Sequence, residues 1–253
     1  MLDLLQQKFQ FYRMKKTNSL LVLFGIGINF FNSCHAMGLR SFVALPLDKQ
    51  GTVIRLFFEH ALEADYDQLT TNIAYGISKN QTLFLSESFR FSGASAQRVG
   101  DVSMLYRHII WQNDYRTGTN RLGLLGGIII PTASEREMAI QSGFVFTHFS
   151  NRFEIDVDGL YQTGINSRPD SGRFDVSWQY RLFPAEYPDW GMSSELYAVI
   201  EYNGRWKEEN SLTHQLTTGL QWVHQSWVIE GGIAKEINNK NDWHFILSTR
   251  FHF

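Results

Sequence analysis

The sequence predicts an all-β chain that closes into a transmembrane antiparallel up-and-down β-barrel of about twelve strands. Three observations carry that expectation. The final eleven residues alternate: Trp243, Phe245, Leu247, Thr249, Phe251 and Phe253 share one side, while His244, Ile246, Ser248, Arg250 and His252 share the other. A strand repeats its side-chain direction every two residues, so such a segment has one face for lipid and one for a wetted interior. Similar runs of about ten residues, separated by turn chemistry, fill the chain from residue 52 onward. Finally, a mean hydropathy of −0.23 with 15% aromatic residues is out of place in a helical membrane protein. It suits a membrane barrel, where only every second strand residue has to be apolar.

The N-terminal end reads as an export signal. Met14-Lys15-Lys16 starts a short basic region, Leu20 to Phe31 is apolar apart from Gly and Asn, and Cys34-His35-Ala36 supplies small residues at a cleavage site. Residues 1–36 are therefore expected to be a signal peptide cut after Ala36, with Met14 as an alternative start. A transmembrane anchor would need about 20 apolar residues, more than this stretch has. Lipidation of Cys34 is the competing reading, and Phe31-Asn32-Ser33 is a poor context for it. Cys34 is the only cysteine. The exported chain would then hold no disulfide and no thiolate metal site. A formal charge of −2 excludes a general nucleic-acid binder. No metal-ligand cluster, phosphate-binding loop or cofactor motif stands out.

Residues 37–51 precede the first strand. Within them Pro46 argues against a central strand, leaving either a lumen segment that narrows the interior or an irregular lead-in. The strands expected after it span 52–63, 67–78, 81–92, 101–114, 120–131, 138–150, 152–164, 172–184, 192–205, 211–224, 226–237 and 241–253. The seventh is among the cleanest, with Phe153, Ile155, Val157, Gly159 and Tyr161 opposing Glu154, Asp156, Asp158 and Gln162. In the eighth, Phe174, Val176, Trp178, Tyr180 and Leu182 oppose Arg173, Asp175, Ser177, Gln179 and Arg181, and the ninth repeats the pattern. The third and sixth alternate less clearly. A soluble sandwich or small ligand-binding barrel would also alternate. The export signal, terminal Phe, aromatics near strand ends and an even strand count favour the membrane barrel.

An even barrel with both termini in the periplasm has a short periplasmic turn at every second connection. Ser78-Lys79-Asn80, Ser150-Asn151-Arg152 and His224-Gln225-Ser226 fall in those slots. The links 93–100, 132–137, 165–172 and 206–210 then face outward. The long link from Pro184 to Trp190 is an exception on the periplasmic side, read as a non-pairing turn or an interfacial flap.

A twelve-stranded barrel lies between small ones filled by side chains and wide water-filled porins, so its side chains decide what the lumen is. The register points Arg55, Glu59, Glu195, Glu230 and His252 inward together with the candidates for a selectivity patch: Glu154, Asp156, Asp158, Arg173, Asp175, Arg181, Glu201, Arg205 and Arg250. Opposed charges in a confined lumen can select a permeant. They can also pair and close the interior, notably Arg173 and Arg181 with the carboxylates of the seventh strand.

The terminal strand resembles that of bacterial outer-membrane barrels. This implies an outer-membrane location among lipids and lipopolysaccharide, with Phe251 and Phe253 read by the barrel assembly machinery. Four further segments, Arg40-Ser41-Phe42-Val43-Ala44-Leu45-Pro46, Gly100-Asp101-Val102-Ser103, Gly127-Ile128-Ile129-Ile130-Pro131-Thr132 and Glu201-Tyr202-Asn203-Gly204, resemble in order the outer-membrane family named for the meta-pathway of phenol degradation. The resemblance implies a passive route for small solutes, aromatic or apolar ones among them, and transfers no binding residue. His148-Phe149-Ser150-Asn151 is similar to the His-x-Ser-Asn segment of outer-membrane lipid hydrolases, which would use His148 as base and Ser150 as nucleophile. Arg152 after it, its place in a predicted periplasmic turn and the missing acidic partner argue against that chemistry. The expectation is a non-enzymatic, cofactor-free channel, with a closed structural barrel as the alternative.

Overall fold

The computed structural model describes residues 38–93, 98–186, 194–238 and 242–253. The signal peptide expected over 1–36 lies outside them, as does the end of the Pro184–Trp190 link. Twelve strands follow one another along the chain: β1 Thr52–Ala61, β2 Tyr66–Ser78, β3 Gln81–Arg90, β4 Val102–Tyr115, β5 Gly118–Ile130, β6 Ala139–Ser150, β7 Phe153–Gly164, β8 Ser171–Phe183, β9 Ser194–Lys207, β10 Thr213–His224, β11 Trp227–Glu236 and β12 Trp243–His252. Each pairs antiparallel with its sequence neighbours, and β1 pairs with β12 from Val53↔His252 to Ala61↔His244, so the sheet closes without an edge. Closure matters because an unpaired strand edge inside hydrocarbon would cost several kcal/mol per orphaned backbone group.

The rim that carries the start of β1 and the end of β12, here the termini rim, is turned by four two-residue connections, at 79–80, 116–117, 151–152 and 225–226. Asn151 and Gln225 take left-handed backbone angles, φ 51° and 49°, as tight hairpins require. The opposite, loop rim carries the longer links between β3 and β4, β5 and β6, and β7 and β8.

The outer wall carries a belt of exposed apolar side chains, with Leu247 58% and Ile140 54% exposed. An encircling belt of such residues is far larger than water tolerates on a monomer and is the surface that faces lipid. Aromatic pairs mark its two edges. Tyr115 stacks on His148, and Trp222 meets Trp227, near the termini rim; Tyr161 stacks on Trp206 near the loop rim. Such amphipathic rings favour the membrane interface.

The alternation breaks at three bulges, between Gly76 and Ser78, Ile109 and Trp111, and Arg181 and Phe183, all toward the termini rim. In β4 the inward positions run Leu105, Arg107, Ile109 and then Gln112 and Asp114, which face Arg121 and Thr119 of β5. An extra residue re-aims the strand in this way. Strands β3 and β6 alternate weakly for a different reason: Phe84 and Val145 point inward, where they pack on a segment inside the barrel.

Candidate functional site

Residues 38–51 form a strap that crosses the lumen. From Gly51 at the foot of β1 the chain passes the β2 backbone, where Gln50 donates its N–H to the Gly76 carbonyl at 2.7 Å. The contact is so close that a Cβ on Gly76 would lie 2.0 Å from the Asp48 carbonyl oxygen. Arg107 of β4 then donates to the carbonyls of Val43 and Leu45, the latter at 2.8 Å. Further round the wall, on β6 and β7, the Ala44 N–H reaches Thr147 Oγ1 at 2.8 Å and the Phe42 N–H reaches Asp158 Oδ2 at 2.8 Å. Glu201 of β9 accepts from the Arg40 N–H at 2.9 Å and from the Ser41 N–H and hydroxyl at 3.4 and 3.1 Å. Arg55 donates to the Leu39 carbonyl, and Arg40 closes an ion pair with Glu59, both at 2.5 Å.

The strap has no strand or helix of its own, so its backbone groups have to find partners among side chains. That requirement explains the inward polar residues around it. Its apolar side is packed as well: Ala44 meets Leu105, Ile109, Leu125, Val145 and Leu160, with Phe42 and Phe84 beside them. Thus the lumen has an apolar patch within β3 to β7, where sequence alternation alone implies a uniformly polar interior.

The nine lumen residues singled out from the sequence separate into three groups. Glu154 and Asp156 are buried on β7; Asp156 accepts from Thr147 Oγ1 at 2.5 Å and Gln179 Nε2 at 2.9 Å. Arg181 pairs with Glu195 of β9 at 3.4 Å, not with the β7 carboxylates that the sequence made its partners, because the β8–β9 register sets it beside that strand. Glu201 and Asp158 hold the strap, as described. Asp175, Arg173, Arg205 and Arg250 belong to ion-pair networks. Asp175 takes Arg205 at 2.6 Å, Arg173 at 3.4 Å and Asn203 at 2.7 Å, and Arg173 also lies 3.8 Å from Asp158. Glu230 binds Arg55 at 2.6 Å on one oxygen and Arg250 on the other. Arg40, Arg55, Arg107 and Glu230 complete the site. Of these, Arg55 and Glu230 were on the inward register, whereas the strap contacts of Arg107 had no signal in the sequence.

Between the strap and the loop rim lies a cavity of about 500 Å³. Arg40, Arg55, Arg173, Arg205 and Arg250 line it, with Arg168 and Asp101 toward the loops. Phe57, Phe84, Leu105, Ile129 and Leu160 supply apolar wall. At the loop rim, Asp101 is clamped by Arg136 at 2.8 Å and Arg168 at 2.7 Å. Burial raises the pKa of its carboxyl, but the two guanidinium hydrogen bonds outweigh this and hold it below the usual aspartate value.

Phe251 and Phe253 sit exposed on the outer wall at the termini rim. His148 also lies on the outer face of β6, with Nδ1 2.5 Å from Asn120 Oδ1 and its ring against Tyr115 and Phe153. Its ring nitrogen is thus engaged by an amide rather than by a carboxylate, the orienting partner of a hydrolase base. Among the described residues no group of three or more His, Cys, Asp or Glu is arranged to hold a metal ion.

No protein-family model matches the chain, and no curated protein matches it. The resemblance to the phenol meta-pathway family therefore rests on its four short segments; these map to the strap, the start of β4, the end of β5 and the Glu201 region of β9. Solved structures do match. An outer-membrane channel from Pseudomonas putida F1 aligns at a TM-score of 0.57 with 11% identity, over 86% of this chain and 100% of that one. The KdgM porin aligns at 0.54 with 8% identity, over 79% and 99%. KdgM in complex with disordered oligogalacturonate aligns at 0.51 with 9% identity, over 79% and 99%. At such identities the likeness is one of fold: a twelve-stranded closed barrel of the kind that outer-membrane channels use.

Proposed function

We propose that this chain is a passive outer-membrane channel for small solutes, with both termini in the periplasm and the strap as the obstruction that has to yield for passage. The observation that carries this reading is the 500 Å³ cavity inside a closed, lipid-facing barrel, blocked toward the termini rim by a segment that, beyond its Gln50 tie to the β2 backbone, is held through side chains of the wall. A segment held this way can leave without breaking any strand pairing. The fold shared with outer-membrane channels supports the same reading, and the resemblance to the meta-pathway family supports small aromatic or apolar solutes as the permeants.

The test is flux through purified, refolded full-length protein in liposomes, with a panel of neutral, charged and aromatic solutes. Uptake above empty liposomes, increased by removal of residues 38–50, is the expected result. No uptake by either protein would favour a closed structural barrel, the second reading, which the paired lumen charges support.

A further inference from the structure

We propose that the cavity above the strap is a binding site for a small organic carboxylate with an apolar body. The proposal rests on the channel reading and names what that site takes up. Its basis is the way cations and apolar groups divide the wall. Going round the barrel from β8 through β9 and β12 to β1, the cavity is met by Arg173, Arg205, Arg250 and Arg55, with Val53 and Phe57 on β1; from β3 through β5 it is met by Phe84, Leu105 and Ile129, with Ser86 and Ser103 between them. One arc is rich in guanidinium and the other in hydrocarbon.

The carboxylates that neutralise those arginines are hidden behind them. The Arg205 side chain is 28% and the Arg173 side chain 22% exposed, whereas Asp175, Asp158 and Glu230 are fully buried. A solute in the cavity meets donors first and their counter-charges only through them, so the wall presents an anion-attracting surface although the networks are paired. Asp101, at the loop end, is the one carboxylate on the cavity surface among the described residues. Donors are also left over. The hydrogen bonds of Arg205 all run through Nη1, to Asp175, Phe174 and Gly204, leaving the other edge of its fork free for a planar carboxylate.

The opposite arc suits a ring. Phe42 and Phe84 lie 5.7 Å apart with their planes inclined at 53°, and the Arg173 guanidinium stands 4.4 Å over the Phe42 ring, joining the two arcs. A neutral aromatic would waste the arginines, and a bare inorganic anion would leave the hydrocarbon arc unused. A cavity of this size falls in the range of small-molecule sites.

Equilibrium binding to the refolded full-length protein in detergent tests this without any transport step. The probes are benzoate, benzyl alcohol, acetate and benzylamine. Benzoate is expected to bind at least tenfold more tightly than each of the others, with an affinity that falls as salt rises while that of benzyl alcohol does not. Arg205→Gln, verified as folded by its heat-dependent gel mobility, should weaken benzoate about tenfold and leave benzyl alcohol unchanged. Benzoate binding no tighter than benzyl alcohol or no tighter than acetate, or independent of salt in the unaltered protein, overturns the proposal. Binding without flux would sink the channel reading and leave this site standing; flux of neutral solutes without selective benzoate binding would do the reverse.

Discussion

Replacing Glu201 with alanine should release the strap. In the strapped state this carboxylate accepts three hydrogen bonds, from the backbone N–H groups of Arg40 and Ser41 and from the Ser41 hydroxyl. The substitution leaves those donors unmet inside the barrel, but in a released strap they would find water. At about 1 kcal/mol net for each bond, the strapped state loses roughly 3 kcal/mol relative to the released one. Since 1.4 kcal/mol is tenfold in an equilibrium constant, the released population should rise on the order of 100-fold. Single-channel recording in planar bilayers reads this directly as opening frequency. Glu201→Gln, which keeps one carbonyl acceptor, should fall between the two. The same direction is expected three strands away, on β6, from Thr147→Val, which removes the single acceptor of the Ala44 N–H, with about a fivefold rise for about 1 kcal/mol. Unchanged opening frequency in both Glu201→Ala and Thr147→Val would refute the strap as the obstruction.

Three further outcomes follow from particular contacts. Asp101 has its carboxyl pKa lowered against the opposing effect of burial, so its clamp on Arg136 and Arg168 contributes fully above the ordinary aspartate value near 3.9 and is lost as pH falls through the lowered one; hydrogen-exchange protection in 131–138 and 165–170, taken relative to the intrinsic rate at each pH, should fall below about pH 4, and Asp101→Asn should show the reduced protection already at pH 7. Glu230→Gln leaves Arg55 and Arg250 facing each other without their shared carboxylate, and should destabilise the barrel by about 3–5 kcal/mol in denaturant unfolding, since removing one partner strands buried charge; a loss below 1 kcal/mol would contradict the triad's role. Phe253→Ala together with Phe251→Ala removes two rings from the outer wall at the termini rim and keeps the backbone pair between Phe253 and Thr52; unaided refolding in detergent should be retained while folded protein in the cellular outer membrane falls several-fold, and equal losses in both would assign these rings to stability rather than to assembly.

Strand count and lipid face were legible because a period of two survives any interior that is consistently polar. Strands β7 and β8 show this: Glu154, Asp156 and Asp158 alternate with Ile155 and Val157, and their expected and observed spans differ by a residue or so. Legibility stopped where a residue's role is set by something other than its own strand. Phe84 and Val145 blur the pattern of β3 and β6 because they pack on the strap. The bulge at Ile109/Trp111 switches parity within one strand and leaves no mark in composition. Pro46 excluded a central strand, but nothing local to residues 38–51 says that Glu201, more than 150 residues away, holds the segment. Equally, the inward charges could be named from register, but their partners could not. Arg181 had two neighbouring strands to choose from, and the geometry of the β8–β9 pairing decided for Glu195.

Those partnerships separate what the charges do. A strap without regular structure turns its backbone donors and acceptors to the lumen wall, and those buried there have to be met, here mostly by side chains. Glu201, Asp158, Thr147 and Arg107 are committed to this, and any change at these positions acts on closure first. Arg173 and Arg205 face the cavity instead, their carboxylate partners sealed behind them, so changes there act on what is bound before they act on closure. Asp158 stands in both groups, accepting from the Phe42 N–H at 2.8 Å and lying 3.8 Å from Arg173. An anion drawn to Arg173 competes with Asp158 for that guanidinium, while Phe42, the residue Asp158 tethers, carries the same guanidinium over its ring. Solute arrival and strap release thus share one carboxylate. If the two are coupled, binding energy from an anion is available to loosen the strap, and by reciprocity strap release alters anion affinity by the same factor. Asp158→Asn keeps an acceptor for the Phe42 N–H but weakens the pull on Arg173. Benzoate should then raise opening frequency less than it does in the unaltered channel, and an identical response in the two proteins would show that binding and gating are independent.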